Sequence, residues 1–523
     1  MALEFSPVSI ERLVSSILKD YKEGQIFGIP EKSFFRPSLA DGFRLKRYGE
    51  ILDTPLGVAA GPHTQMAQNI VSAWLCGARY IELKTVQTLD ELKISRPCID
   101  IEDEGYNCEW SQELKLHQSY HEYLKAWILI HLLKHELGFP KSKDLGCIFN
   151  MSVGYDMKGI LEANVQEFLQ KMQNCADDLA EAVEKVATIY PAIRDVSIPD
   201  NMSNCITLST MHGCPPDEIE KIARYLMEEK SLHTAVKLNP TLLGAKRLRS
   251  VLNDTLGFDT VVPDEAFAHD LRYEDGLDML KNLGKTAGRA GVDFGLKLTN
   301  TLEVQNTRTI FPPNEESMYM SGRALHPISI LLAEKLQSDF SGTLDISFSA
   351  GGDCFNFTEV MACGLRPMTV SSDILKPGGY GRLRQYLEIL DADMEGCGAK
   401  DLDDYMRKRA SGEDASMEKV RLQNLAAYSK KVTLDRAYKK EGRKGQSIKT
   451  TRPLGLFDCF HAPCTTTCPA NQDVPQYIEA ISKGEYRRAL KVILRSNPFP
   501  NVLGQVCDHK CMGKCTRVNM DNP

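Results

Sequence analysis

At 523 residues, 42% apolar and 25% charged, the chain is long enough for two or three domains with full-sized cores and has an ordinary globular composition. A net charge of −7 gives no electrostatic reason to expect nucleic acid or a membrane surface as a partner. The first twenty residues carry Glu4, Glu11 and Arg12, unlike a signal peptide, and the longest apolar run, 126–133, is broken by His131 and too short to cross a bilayer, so a cytoplasmic location is expected.

In chain order, short apolar runs alternate with amphipathic stretches from about residue 53 to residue 390. The runs fall at 55–60, 80–83, 145–151, 205–208, 235–238, 294–298, 344–348 and 368–370. After the third, Leu161, Val165, Phe168, Leu169 and Met172, then Leu179 and Val183, recur at helical spacing. After the fourth, Asp217 and Glu218 start a helix with Ile219, Ile222, Ala223 and Leu226 on one face. Eight buried-type strands alternating with helices predict an α/β fold with a parallel sheet. The count favours a closed (β/α)8 TIM barrel over an open doubly wound sheet.

A charge-dense segment follows at 401–451, ending in Arg436, Lys439, Lys440, Arg443, Lys444 and Lys449 with Gly442 and Gly445 among them. It reads as a helical connector running into a flexible basic linker, or else as a grip on an acidic partner or a nucleotide phosphate. The expected division is a barrel over 1–400, a connector over 401–452 and a small, mainly helical module over 453–523.

Cysteine usage marks that last module. Ten cysteines are scattered from Cys76 to Cys397 without repeated spacing, as small buried apolar residues are. The other six are Cys459-x4-Cys464-x3-Cys468-Pro469 and, 38 residues later, Cys507-x3-Cys511-x3-Cys515. In a reducing compartment such crowding argues for metal, not disulfides. Four thiolates around one point suit a [4Fe–4S] cluster, and Pro after a ligating Cys is frequent there; structural zinc is the alternative, though it usually takes CxxC knuckles.

In barrels, function sits at the C-terminal ends of the strands. Here those ends read Ala59-Ala60-Gly61-Pro62, Lys84-Thr85, Asn150-Met151-Ser152, Thr207-Leu208-Ser209-Thr210, Lys237-Leu238-Asn239, Thr299-Asn300-Thr301, Gly351-Gly352 and Ser371-Ser372. Paired glycines after the seventh strand and hydroxyls after the eighth suit a phosphate, because bare N–H groups approach its oxygens closely. Lys84 and Lys237 could hold negative charge on a reduced cofactor.

On these residues the barrel resembles the FMN domain of dihydroorotate and dihydropyrimidine dehydrogenases over roughly 50–390. The motifs 55–61, Leu83-Lys84-Thr85, Val236-Lys237-Leu238, Thr299-Asn300-Thr301, Ser321-Gly322 and Gly351-Gly352 follow that family's order. The resemblance implies FMN contacts at Ala60, Gly61, Lys84, Thr85, Asn150, Lys237, Thr299, Gly322, Gly351, Gly352, Ser371 and Ser372. It implies substrate contacts at Asp156, Thr207, Asn300 and Thr301, and hydride exchange at a C=C or C=N bond of a small heterocycle. Two departures stand out. Where the family's loop reads Asn-Leu-Ser-Cys-Pro, this chain has Thr207-Leu208-Ser209-Thr210-Met211, and a hydroxyl is a poor proton donor. Cys214, in His212-Gly213-Cys214-Pro215, has the right chemistry, with His212 expected to lower its pKa, unless it merely starts the next helix. Asp156 replaces the Asn with which dihydropyrimidine dehydrogenases bind substrate.

The tail resembles the cluster domain shared by the glutamate synthase small subunit and dihydropyrimidine dehydrogenase. Cys468, Cys507, Cys511 and Cys515 match one complete cluster; Cys459 and Cys464 match part of a second, with Leu456 where that family has Cys. Barrel first and cluster second is the order of bacterial selenate reductase-type subunits, in which an FAD- and NADPH-binding module follows. No Gly-x-Gly-x-x-Gly turn of that kind occurs before Pro523, so such a module is expected from a missing C-terminal segment or a partner polypeptide. The expectation is an iron–sulfur flavoprotein oxidoreductase; the alternative is a non-catalytic electron-transfer or assembly subunit.

Overall fold

The computed structural model describes residues 7–88, 98–101, 104–108, 114–139, 144–154, 156–209, 214–307, 311–376, 378–410, 415–442 and 462–512. Thr210, Cys459, Cys515 and the basic residues Arg443, Lys444 and Lys449 lie outside them.

Eight strands close a parallel barrel: β1 Leu56–Val58, β2 Tyr80–Glu82, β3 Ile148–Val153, β4 Cys205–Ser209, β5 His233–Leu238, β6 Phe294–Leu298, β7 Ile346–Phe348 and β8 Met368–Val370. Each neighbours its successor and β8 pairs with β1, so all eight apolar runs become staves. Lumen and helix layer bury both faces of each strand, which is why the runs are continuous and not alternating. The expected helices form as well. Val165, Phe168, Leu169 and Met172 are buried on Ala163–Gln173, and Ile219, Ile222, Ala223 and Leu226 on Pro216–Glu228.

The register builds a polar belt at one level of the lumen. Ser209 lies opposite Lys237, Lys237 opposite Lys297, and Lys297 opposite Ser347. Past the C-terminal ends of the strands, the segments after β2 and β6 pair into an antiparallel sheet in the order Leu302–Gln305, Ser317–Gly322, Glu104–Asn107, Ile99–Ile101. Its central strands bring Gly322 beside Glu104.

The segment expected to be a connector and linker is, through residue 442, part of the barrel wall. Leu402, Tyr405, Leu425, Tyr428, Val432 and Tyr438 join the main hydrophobic core. Asn424 Nδ2 donates to the carbonyls of Ala362 (2.7 Å) and Met406 (2.9 Å). Lys440, though exposed, is anchored to the barrel: its N–H donates to Leu256 O (2.8 Å) and its Nζ pairs with buried Glu104 (2.8 Å). The cysteine module is helical, with Pro463–Thr467, Val474–Ser482, Tyr486–Leu494 and Pro500–Gln505. Among the described residues no helix is long and apolar enough to cross a membrane.

Candidate functional site

The belt and the antiparallel sheet enclose a cavity of about 270 Å³ at the C-terminal ends of the strands. Its inner end is cationic. Lys84, Lys237 and Lys297 line it, and Lys297 reaches across the lumen to form an ion pair with Glu82 of β2. Glu82 Oε2 also accepts from Ala60 N (3.3 Å) and Thr369 Oγ1 (3.4 Å), so the carboxylate is fixed from β1 and β8 as well. A buried charge is tolerated only when paired in this way. Burial, the Lys297 cation and the Lys84 cation together push Lys237 down to about 7, against the pull of Glu82. Burial lowers Lys297 too, and Glu82 opposes it. Behind the floor, His63 is driven down to about 4 by burial and stays neutral.

The other end is lined by glycine backbone and serine hydroxyls, with Asp353 and Asp373 beside them. Gly322 and Gly351 both have positive φ (79° and 56°), and a Cβ on Gly351 would collide with the Gly322 carbonyl oxygen. Only glycine allows that approach, and it leaves backbone groups bare toward the cavity. Ser321 and Ser372 hydroxyls hydrogen-bond to each other at 2.9 Å. Ser371 Oγ is buried with no hydrogen-bond partner among the described residues, although it lines the cavity. An orphaned hydroxyl beside bare glycine backbone is what a phosphate oxygen would satisfy.

Ten of the residues expected to contact the cofactor line this one cavity: Ala60, Lys84, Thr85, Lys237, Thr299, Gly322, Gly351, Gly352, Ser371 and Ser372. Asn300 and Thr301, expected at the substrate, line it too. Four other residues stand elsewhere. Gly61 opens the turn Pro62–Thr64, its N–H donating to Thr64 Oγ1 (3.1 Å). Asn150, the register partner of Glu82, and Thr207 are buried and do not line the cavity; Asn150 Nδ2 donates to Thr207 Oγ1 at 2.8 Å. Asp156 is exposed and caps Met157–Ile160, accepting from Gly159 N at 2.7 Å.

Cys214 is half-buried outside the cavity lining. The expected lowering of its pKa is reversed: burial, then Glu218, Asp217 and Asp156, push the thiol up to about 11. Asp217 and Glu218 belong to the acidic first turn of Pro216–Glu228, and His212 lies outside the described residues. Glu82, Lys297, Arg323 and Asp373 were not singled out from the sequence. Lys297 had a usable signal, a lone charge inside the apolar run Phe294–Leu298.

In the module, Cys464 and Cys468 lie one helical turn apart at Pro463–Thr467. The Tyr477 phenol is pushed up by burial, then by the thiols of Cys511, Cys468, Cys464 and Cys507. Among the described residues these thiols do not close a preformed metal site. An all-thiol donor set drawn from separate segments fits an iron–sulfur cluster.

A parallel barrel with a lysine- and glycine-lined cavity at its mouth, joined to a thiol-rich helical module, defines a two-module redox protein. Residues 27–440 match the family model described as "Oxidoreductase YgfK, N-terminal TIM-barrel domain", and residues 438–523 match that for the 4Fe-4S cluster domain II of dihydropyrimidine dehydrogenase. The chain belongs to the YgfK oxidoreductase family. It is 41% identical over 538 residues to the YgfK oxidoreductase of Escherichia coli (strain K12), covering 99% of this chain and 50% of that protein. The chain thus spans about half the length of that relative. A stretch of 67 residues, 13% of this chain and 10% of the relative, is 43% identical to the NADPH-Fe(3+) oxidoreductase subunit beta of Geobacter sulfurreducens. A ligand-free DHODH from Eimeria tenella aligns with a TM-score of 0.44 at 14% identity, over 72% of this chain and 94% of that one.

Proposed function

We propose that the barrel cavity holds FMN and exchanges hydride with a C=C or C=N bond of a small pyrimidine- or purine-like heterocycle, while the 4Fe–4S module relays electrons to or from a partner. The observation that carries this reading is the pairing, in one cavity, of a lysine-lined floor with an orphaned Ser371 hydroxyl beside Gly351 and Gly352. Bound FMN would supply the hydride chemistry. The chain's own residues do the rest. Gly322, Gly351, Gly352, Ser371 and Ser372 bind the phosphate, and Ala60 and Thr299 border the ring. Lys84, together with Lys237 in its protonated form, holds negative charge that builds on it, since cations shielded from water stabilise an anion strongly. Asn300 and Thr301, with Thr85, offer neutral donors and acceptors to a heterocycle. The cluster is held by Cys468, Cys507, Cys511 and Cys515, with Cys459 and Cys464 available to a second. The partner is an FAD- and NAD(P)H-binding polypeptide or further module, in keeping with the NADPH-dependent name of the Geobacter relative.

The placement of Cys214 favours a second reading. A thiol raised to about 11 and standing outside the cavity is a poor general acid. Unless Thr210 moves the proton, the barrel keeps its cofactor and serves electron transfer without turning over a substrate. The visible spectrum of anaerobically purified protein tests what both readings share. Flavin bands on a broad iron–sulfur shoulder are expected, with FMN released on heat denaturation; a featureless visible spectrum overturns both.

A further inference from the structure

The two loops that form the anion end of the cavity leave different strands, β7 and β8, and something must hold them in register. Tyr386, on the helix Leu383–Cys397, is fully buried and points its hydroxyl at both. Tyr386 Oη lies 2.8 Å from Asp373 Oδ2 in the β8 loop and 3.1 Å from the Gly352 carbonyl in the β7 loop. The phenol has one proton, so the shorter contact to the carboxylate takes most of it and the carbonyl shares the remainder. Asp373 is in turn gripped in a fork by Arg382, with Nε to Oδ2 at 3.0 Å and Nη2 to Oδ1 at 2.8 Å. Fork-to-carboxylate pairs fix orientation as well as charge. The Tyr386 ring packs edge-on against Phe357 (5.4 Å, 68°), which starts the helix following β7, so the phenol cannot swing away.

We infer that Tyr386, with Arg382 and Asp373, is a positioning brace that sets the spacing of the phosphate-binding loops and so tunes affinity for the phosphate of the cofactor. This rests on the proposed flavin site. Three further facts bear it out. Asp373 and Gly352 both line the cavity, although Tyr386 does not. Both carboxylate oxygens of Asp373 are engaged by the brace, and the Arg382 guanidinium offsets the charge that would otherwise repel a phosphate. The turn that carries Ser371 is closed by Ile374 N donating to Ser371 O (3.2 Å) and Lys376 N donating to Asp373 O (3.2 Å), so moving Asp373 moves the orphaned Ser371 hydroxyl. A change at the brace should therefore be felt at the phosphate and not at the ring, which lies at the lysine end.

FMN and riboflavin separate these effects, because they share the ring and differ in the phosphate. Flavin-free protein is titrated with each, following quenching of flavin fluorescence. Tyr386→Phe keeps the packing and removes only the hydroxyl; it should weaken FMN binding about ten-fold, the usual worth of one buried hydrogen bond, and leave riboflavin unchanged. Arg382→Lys, which keeps the charge and loses the fork, should do the same and serves if Tyr386→Phe folds poorly. Equal weakening of both ligands would make the brace a general structural element and overturn the inference, as would unchanged FMN affinity in both variants. If the wild-type protein binds neither flavin, the proposed function itself fails, and that result is distinct from a loss confined to the variants.

Discussion

At the scale of single residues, the floor of the cavity makes a pH-dependent claim. Lys237 has its folded pKa depressed to about 7 by burial and by Lys297, against an unfolded value of 10.5. Between those two values the unfolded chain binds the proton and the folded chain does not, so stability rises with pH across that window; below about 7 the cost is fully present. Replacing Lys237 by Met removes that cost. In flavin-free protein the variant should be more stable to unfolding than wild type at pH 6.5, by on the order of a few kcal/mol, and the difference should shrink as pH approaches 10. A gap that stays constant over that range would show that Lys237 keeps its charge when folded. The sequence made Lys84 and Lys237 legible because each stands at a strand end beside polar residues. It hid Glu82 and Lys297 as a pair, because their contact crosses the lumen between strands far apart in sequence.

At the scale of elements, all eight strands were legible, since a strand buried on both faces leaves an apolar run that needs no partner to be noticed. Ten of the residues expected at the cofactor share one cavity because a barrel delivers its strand ends to one mouth. Asp156 follows β3 as well, but it caps the next helix, and the sequence does not show which residues past a strand end turn back toward the cavity. The helices after β8 were misread as a connector for a different reason. Leu402, Tyr405, Leu425 and Val432 are spread thinly among charges that face solvent, so local composition looked like a linker. If Met417–Leu434 is barrel wall, Leu425→Ala should cost about 2–4 kcal/mol in urea unfolding, as for any fully buried leucine. A linker helix would lose less than about 0.5 kcal/mol.

At the scale of the whole molecule, the two modules are held together by different physics. The barrel has a continuous core. In the cysteine module, the apolar side chains buried among the described residues are Val474, Ala480, Ala489 and Val492, while Ile478, Ile481, Tyr486, Leu490, Leu494 and Phe499 are exposed. A module this small with so little apolar burial needs a staple, and its family assigns it a 4Fe–4S cluster. Cluster binding is then part of the free energy of folding, as for other small metal domains. Removing the iron with chelator under mild oxidation should melt Val474–Ser482 and Tyr486–Leu494. Trypsin would then cut at Arg487, Arg488, Lys491 and Arg495, side chains that already face solvent but whose backbone the helix protects. The barrel should survive the same digestion as a resistant fragment that retains 435–442, because that segment is fastened to it. Arg323 donates to the carbonyls of Ala437 (3.0 Å) and Lys439 (2.8 Å), and Tyr438 stacks on His326 (5.2 Å, 8°). The iron-loaded protein should resist cleavage at those four sites. Equal resistance with and without iron would show that the helices hold by packing alone and that the cluster serves only electron transfer.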